Sequence, residues 1–269
     1  MICLGPRTRR ARPNLVIAWL RVKVPCVIAV LDRSSPRTQC ARMHLHPRLV
    51  VFDLDGTLAD SLGHTFIAMA DAAEPVLGRR PSEADVAALL GAPDDGMIAQ
   101  LVGAAHMPKL FDIYVDLFAK RPVSLYDDAR ALLIALRGAG IELAIWTGRG
   151  ERTTNALVER LGLRPLLRMI VNGTEVVNGK PHPEGLQRIL DATRIPASEA
   201  AMVGDSASDM RAANALGVAA IGAAWDSRAR RTELEAAGAA TICATIRDLH
   251  RLLVPRTEAP LAAPQATLQ

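Results

Sequence analysis

The sequence predicts an α/β fold, a doubly wound parallel sheet with a helical cap inserted after the first strand, on three observations. Six short, near-continuous apolar runs alternate with helical patterns, as in parallel sheets covered on both faces. Several helical stretches close on a glycine, at Gly140, Gly162 and Gly217, a common way for a helix to end. One interval, between the first and second apolar runs, contains no comparable run and reads as helix instead.

Taken in order, the strand candidates are RLVVFD (48–53), IELAIW (141–146), RMIVN (168–172), AAMVG (200–204), VAAIG (218–222) and ATIC (240–243). The patterns between and after them predict helices over 127–139, 151–161, 184–193, 207–216, 229–237 and 245–253. The helical interval holds HTFIAMADAAEPVLG, SEADVAALLG, PDDGMIAQLVGAA and PKLFDIYVDLFAK, four helices by the same reading. Ser82 has an acid three residues on, a capping-box pattern, and Pro93 and Pro108 suit first-turn positions. The expected layout is a core of 48–61 and 126–254 and a cap of 62–125. The cap leaves the carboxyl edge of the first strand, where ligands bind in open α/β sheets. It is therefore expected over the site.

The ends of the chain differ from this body. Residues 1–48 hold ten Arg and Lys against one acid, Asp32, which leaves 22 basic and 27 acidic residues in 49–269. The formal charge of +4 thus belongs to a basic leader, 1–47, and the body has neither a basic stripe nor, at 3% aromatics, rings to stack bases. Nucleic-acid binding is not expected of the core. The apolar stretch Leu15 to Leu31 is interrupted by Arg21, Lys23 and Pro25, too broken for a membrane span or a secretory segment. The leader reads as a transit-like segment or as an over-extended start, with Met43 as the first residue, and both readings stay open. The Pro- and Ala-rich tail, 255–269, is expected to be disordered. Cys3, Cys26, Cys40 and Cys243 form no C-x-x-C pair, which fits a reducing, cytoplasmic compartment and a soluble protein.

Four strand ends carry polar groups. VVFDLDGTLADS sets Asp53 and Asp55 two residues apart where the first strand stops, with Gly56 permitting a turn. A carboxylate at the end of a buried strand needs a compensating cation or donors. A capping or loop aspartate would explain either acid alone. Together they point to a shared pocket with a divalent cation, and oxygen-only ligands favour Mg²⁺. Thr147-Gly148-Arg149 offers a hydroxyl and backbone N–H groups at a helix start, which suits an anion. Lys180, between Gly179 and Pro181, precedes a helix on a stiff segment. Gly204-Asp205 ends another strand, with Asp209 four residues on; an N-cap acid and a surface acid are the plain alternative.

As a set, FDLDGTLADS, TGR, GKPHPE and VGDSASDMRAANALGV resemble the haloacid dehalogenase superfamily over residues 48–250, and within it the phosphatases similar to phosphoglycolate phosphatase. The resemblance implies Asp53 as the phosphoryl-accepting nucleophile and Asp55 as the acid/base. It implies Thr147 and Gly148 at the phosphate, Lys180 neutralising it, and Mg²⁺ held by Asp53, the Asp55 backbone carbonyl and Asp205, with Asp209 as ligand or support. The partner implied is a small phosphorylated metabolite, converted by a phosphoric monoester hydrolase. A phosphomutase similar to β-phosphoglucomutase and a non-catalytic partner-binding member are the alternatives. The second motif departs from the usual Asn-Lys after the threonine. Arg149 in that position is expected to lie solvated at the helix start, the other possibility being contact with a second anionic group of the substrate. His64, His106 and Lys109 are polar cap candidates, expected to be solvated.

Overall fold

The structure is a computed structural model that describes residues 46–254. The expectations for the leader up to residue 45 and for the tail from 255 fall outside the described residues. Strand β1 (Leu49–Phe52) is followed by a short β2 (Ala59–Asp60), the helices α1 (Leu62–Leu77), α2 (Glu83–Ala87), α3 (Asp94–Val102) and α4 (Met107–Ala119), and β3 (Ser124–Leu125). Then come α5 (Ala129–Gly138), β4 (Glu142–Trp146), α6 (Glu151–Arg160), β5 (Met169–Val171), α7 (Glu184–Thr193) and β6 (Ala200–Gly204). The described chain closes with α8 (Ala207–Ala215), β7 (Ala219–Ala223), α9 (Arg231–Ala236), β8 (Thr241–Cys243) and α10 (Ile246–Leu253).

Six strands form one parallel sheet in the order β5-β4-β1-β6-β7-β8. The winding runs outward from β1 to β5, then returns to β6 on the other side of β1. The topological switch point therefore lies between β1 and β6, where the carboxyl ends of adjacent strands open a crevice. Every side chain of β1 is buried, and the strand period of two divides them. Val50 and Phe52 join Leu132, Leu136 and Leu249 on one face, while Leu49 and Val51 join Leu186, Ile189 and Met210 on the other. A polar residue on either face would be buried, which is why these strands read as unbroken apolar runs. Truncating Phe52 to alanine would cost about 3–5 kcal/mol by the usual cavity penalty.

The cap helices α1–α4 pack on one another, and their apolar side chains, including Phe66, Met69, Tyr114 and Phe118, are continuous with the core cluster under α5 and α10. The cap is thus seated on the sheet edge. Two local expectations change. The predicted helix over 82–91 is only Glu83–Ala87: the Ser82–Asp85 capping box forms, but the chain turns at Gly91, whose φ of 119 suits glycine alone, and enters α3 after Pro93. Pro93 itself is the residue preceding α3, whereas Pro108 sits in the first turn of α4. The antiparallel pair of β2 with β3 closes the base of the cap. Two residues per strand carry no readable period, so nothing in the sequence marks it. Among the described residues no helix is long and apolar enough to cross a membrane.

Candidate active site

Where β1 ends, the Asp53 N–H still donates to Val203 of β6 at 2.9 Å, so Asp53 stands at the switch point as the last residue of the ladder. The chain then turns through Gly56, with φ of 74. Any side chain there would be strained, and a β-carbon would lie 2.3 Å from Asp205 Oδ2. The turn therefore has to be glycine for Asp205 to share the crevice. Asp205 follows β6, accepts from the Thr57 hydroxyl at 3.3 Å, and faces Asp53 and Asp209; carboxylate oxygens of the three acids lie within 4.8 Å of one another. Asp209, fully buried on the first turn of α8, completes a capping box with Ser206. The plain alternative of a surface acid is thereby replaced: Asp209 caps its helix from inside the site.

Lys180 is the cation among these acids. Its ammonium donates to Asp53 Oδ1 at 2.8 Å and to the Trp146 carbonyl at 2.7 Å, and lies over the Trp146 ring at 4.9 Å. It also forms an ion pair with Asp209 Oδ1 at 2.7 Å, an oxygen that accepts no well-directed hydrogen bond. Burial pushes the Asp53 carboxyl up to about 7 against the pull of Lys180, with Asp209 adding to the rise. Burial likewise drives Asp205 well above the usual carboxylate range, reinforced by Asp53 and Asp209. Burial disfavours the Lys180 charge too, but Asp209 and Asp53 outweigh it and leave the ammonium held above its ordinary value. Three acids and one lysine leave an excess of negative charge that a divalent cation relieves.

Asp55 has a different environment. Its side chain is outside the three-acid cluster and is gripped by Arg149, NH2 to Oδ1 at 2.5 Å and Nε to Oδ2 at 3.1 Å, with the Ser61 hydroxyl also donating to it. Burial alone would raise the Asp55 carboxyl, but the guanidinium, aided by Ser61, overrides that and holds it below the usual range. Thr147, just past the end of β4, faces Asp55: its hydroxyl is 3.5 Å from Asp55 Oδ2 and accepts the Arg149 N–H at 3.2 Å. Gly148 is exposed and lines the cavity beside it. Asp53, Asp55, Thr147, Gly148, Lys180 and Asp205 all line one cavity of about 380 Å³, with Asp209 buried behind.

Arg149 overturns its expectation. It is 5% exposed, not solvated. Besides Asp55, its guanidinium donates to Asp94 at 3.3 Å, the Tyr114 hydroxyl at 3.0 Å and the Thr65 hydroxyl at 2.7 Å, and it stacks 4.6 Å from the Phe118 ring centre. All five N–H donors of an arginine are thereby used. Thr65, Asp94, Tyr114 and Phe118 all belong to the cap helices, so one buried cation ties the cap to Asp55. The reason is solvation: two buried carboxylates require a cation, and among the described residues Arg149 is the one ion-paired with both. Asp94 went unread in the sequence because an acid in a helix first turn is ordinary. It also accepts from the Gly150 N–H at 2.9 Å and from the Thr153 hydroxyl, and so is itself the anion at the start of α6. His106 and Lys109 are exposed and His64 is half-buried; none of the three lines the cavity.

A family model described as haloacid dehalogenase-like hydrolase matches residues 50–223. A phosphoglycolate phosphatase of Pseudomonas savastanoi pv. phaseolicola is 31% identical over 191 residues, 65% of this chain and 68% of that protein. A phosphoglycolate phosphatase of Rhodospirillum rubrum is 32% identical over 190 residues, 64% of this chain and 77% of that one. Among solved structures, a crystal structure described as a predicted phosphoglycolate phosphatase from Haemophilus somnus superposes with a TM-score of 0.68 at 21% identity, covering 76% of this chain and 97% of that chain. At that identity the last likeness bears on the fold alone.

Proposed function

Because the chain belongs to the haloacid dehalogenase-like hydrolases and is a phosphoric monoester hydrolase like the relatives it matches, we propose that it is a Mg²⁺-dependent phosphatase. It cleaves a small phosphorylated metabolite through an aspartyl phosphate at Asp53. The observation that carries this reading is the convergence of Asp53, Lys180, Asp205 and Asp209 at one sheet edge, with Asp55 in the same cavity. A cytoplasmic location goes with it.

The donor set suits the metal. Asp53, Asp205 and Asp209 form an all-oxygen site short of positive charge, the first two with raised proton affinity, and Asp209 Oδ1 accepts no well-directed hydrogen bond. Asp53, Asp205 and Asp209 would hold Mg²⁺; any share of Asp55 falls to its backbone carbonyl, since Arg149 occupies its side chain. When bound, the ion supplies charge against the phosphoryl oxygens.

The protein groups divide the remaining work. An Asp53 oxygen attacks phosphorus and the ester P–O bond breaks, with Asp55 giving its proton to the departing alcohol oxygen. Asp55 then takes a proton from water as that water attacks the acyl phosphate, which releases phosphate and restores Asp53. Lys180, at 2.8 Å from Asp53 Oδ1, meets charge on the transferring group. The Thr147 hydroxyl and the Gly148 backbone bind its oxygens. The depressed Asp55 rests as a base. A phosphate dianion bound beside it opposes Arg149 and raises its proton affinity for the acid step.

The test is phosphate release from a panel of phosphorylated metabolites by the purified protein, with Mg²⁺ and with chelator. Turnover that requires Mg²⁺ is expected, with transient label on Asp53 that water discharges without a sugar acceptor. Absence of turnover on every phosphate monoester would overturn the proposal in favour of a partner-binding role.

A further inference from the structure

The cavity above Asp53 has two cationic lining side chains among the described residues, Arg149 and Lys180, and neither is free. Arg149 spends its donors on Asp55, Asp94, Tyr114 and Thr65. Lys180 donates to Asp53 and the Trp146 carbonyl and is ion-paired with Asp209. The remaining charges at the walls are acids: Asp53, Asp55, Asp94 and Asp205. Away from the phosphate end the lining is apolar, from Leu62 and Met97 inside to Ala92 and Val176, and out to Leu90 and Val177 at 51% and 91% exposure. At the edge of a cavity such side chains offer apolar surface that an entering ligand covers.

Resting on the phosphatase reading, we propose that the alcohol this enzyme releases is uncharged and presents apolar surface to the cap. A carboxylate on the leaving group would enter a cavity whose two cationic side chains are already engaged and whose acids repel it, so no unengaged cation there replaces its water. An alkyl or otherwise neutral group meets Leu62, Met97 and Val176, and a longer one reaches Leu90 and Val177. The chain, although similar to phosphoglycolate phosphatases, thus selects against an anionic tail such as glycolate.

The experiment compares kcat/KM of the full chain, with Mg²⁺, for ethyl, n-propyl and n-butyl phosphate and for 2-phosphoglycolate. Propyl phosphate is expected to exceed 2-phosphoglycolate at least tenfold, and each added methylene to gain up to about fourfold, the value of one buried CH₂. Leu90→Ser and Val177→Ser alter exposed positions, so folding is not at stake, and they should shrink the butyl-to-ethyl ratio. A 2-phosphoglycolate value equal to or above that of propyl phosphate would overturn the inference and leave the phosphatase reading standing, as would a flat alkyl series or a ratio indifferent to both variants. Selective loss of 2-phosphoglycolate turnover in Arg149→Ala would also overturn it, by making Arg149 the carboxylate receptor. No turnover of any ester would remove the phosphatase reading and the inference together.

Discussion

Arg149 and Asp55 form a two-pronged ion pair, at 2.5 and 3.1 Å, inside a site where the guanidinium is 2% and the carboxylate 14% exposed. The same guanidinium lies 3.3 Å from the cap's Asp94. The candidate acid/base and the cap are therefore one electrostatic unit: the cap cannot lift without leaving either Asp55 or Asp94 short of its cation.

Arg149→Ala leaves both carboxylates buried and unpaired, and breaking a buried pair costs about 3–5 kcal/mol. A loss of that order in urea unfolding is expected. Arg149→Lys keeps the charge without the planar fork and should fall between. A variant as stable as the parent would mean that Arg149 is not the cation these acids depend on.

Asp53→Asn should be inactive on every phosphate ester, because an amide forms no acyl phosphate. Asp55→Asn should lose something like 10²–10⁴-fold on alkyl phosphates, the usual contribution of general acid catalysis. An aryl phosphate, whose phenol leaves without a proton, should still give a burst of phenol and then stall with label on the protein. Equal loss on alkyl and aryl esters with no burst would reverse the assignment.

Mg²⁺ stabilisation should depend on pH. In the metal-free protein Asp53, raised to about 7, binds its proton more tightly folded than unfolded, where the value is near 4. Its contribution to stability is complete at low pH and is lost as pH rises between those values. Mg²⁺ has to displace that proton, so the rise in Tm on adding Mg²⁺ should be larger at pH 8 than at pH 5.5. An equal rise at both would show that the ion does not bind at Asp53.

Gly204→Ala tests the support of the metal site from behind. A β-carbon there would lie 2.3 Å from Asp209 Cγ, which would push Asp209 away from Lys180 and Asp205. Mg²⁺ affinity by calorimetry should weaken about 10–100-fold, as on loss of an outer support of a metal ligand. Unchanged affinity would remove Asp209 from the metal site.

By itself the sequence determined the sheet, the order of its elements and the four strand-end motifs. Each is a local signal: an apolar run is a strand buried on both faces, and a parallel sheet brings the carboxyl ends of its strands to one edge. Asp53, Thr147, Lys180 and Asp205 could be read for that reason. The tertiary structure alone decided the fate of Arg149. Its partners lie 94 residues away at Asp55 and 55 residues away at Asp94, and no helical or strand period links positions so far apart. An arginine at a helix start is solvated unless another element covers it. Docking of the cap removes the water, and once water is gone two buried carboxylates hold that cation between them.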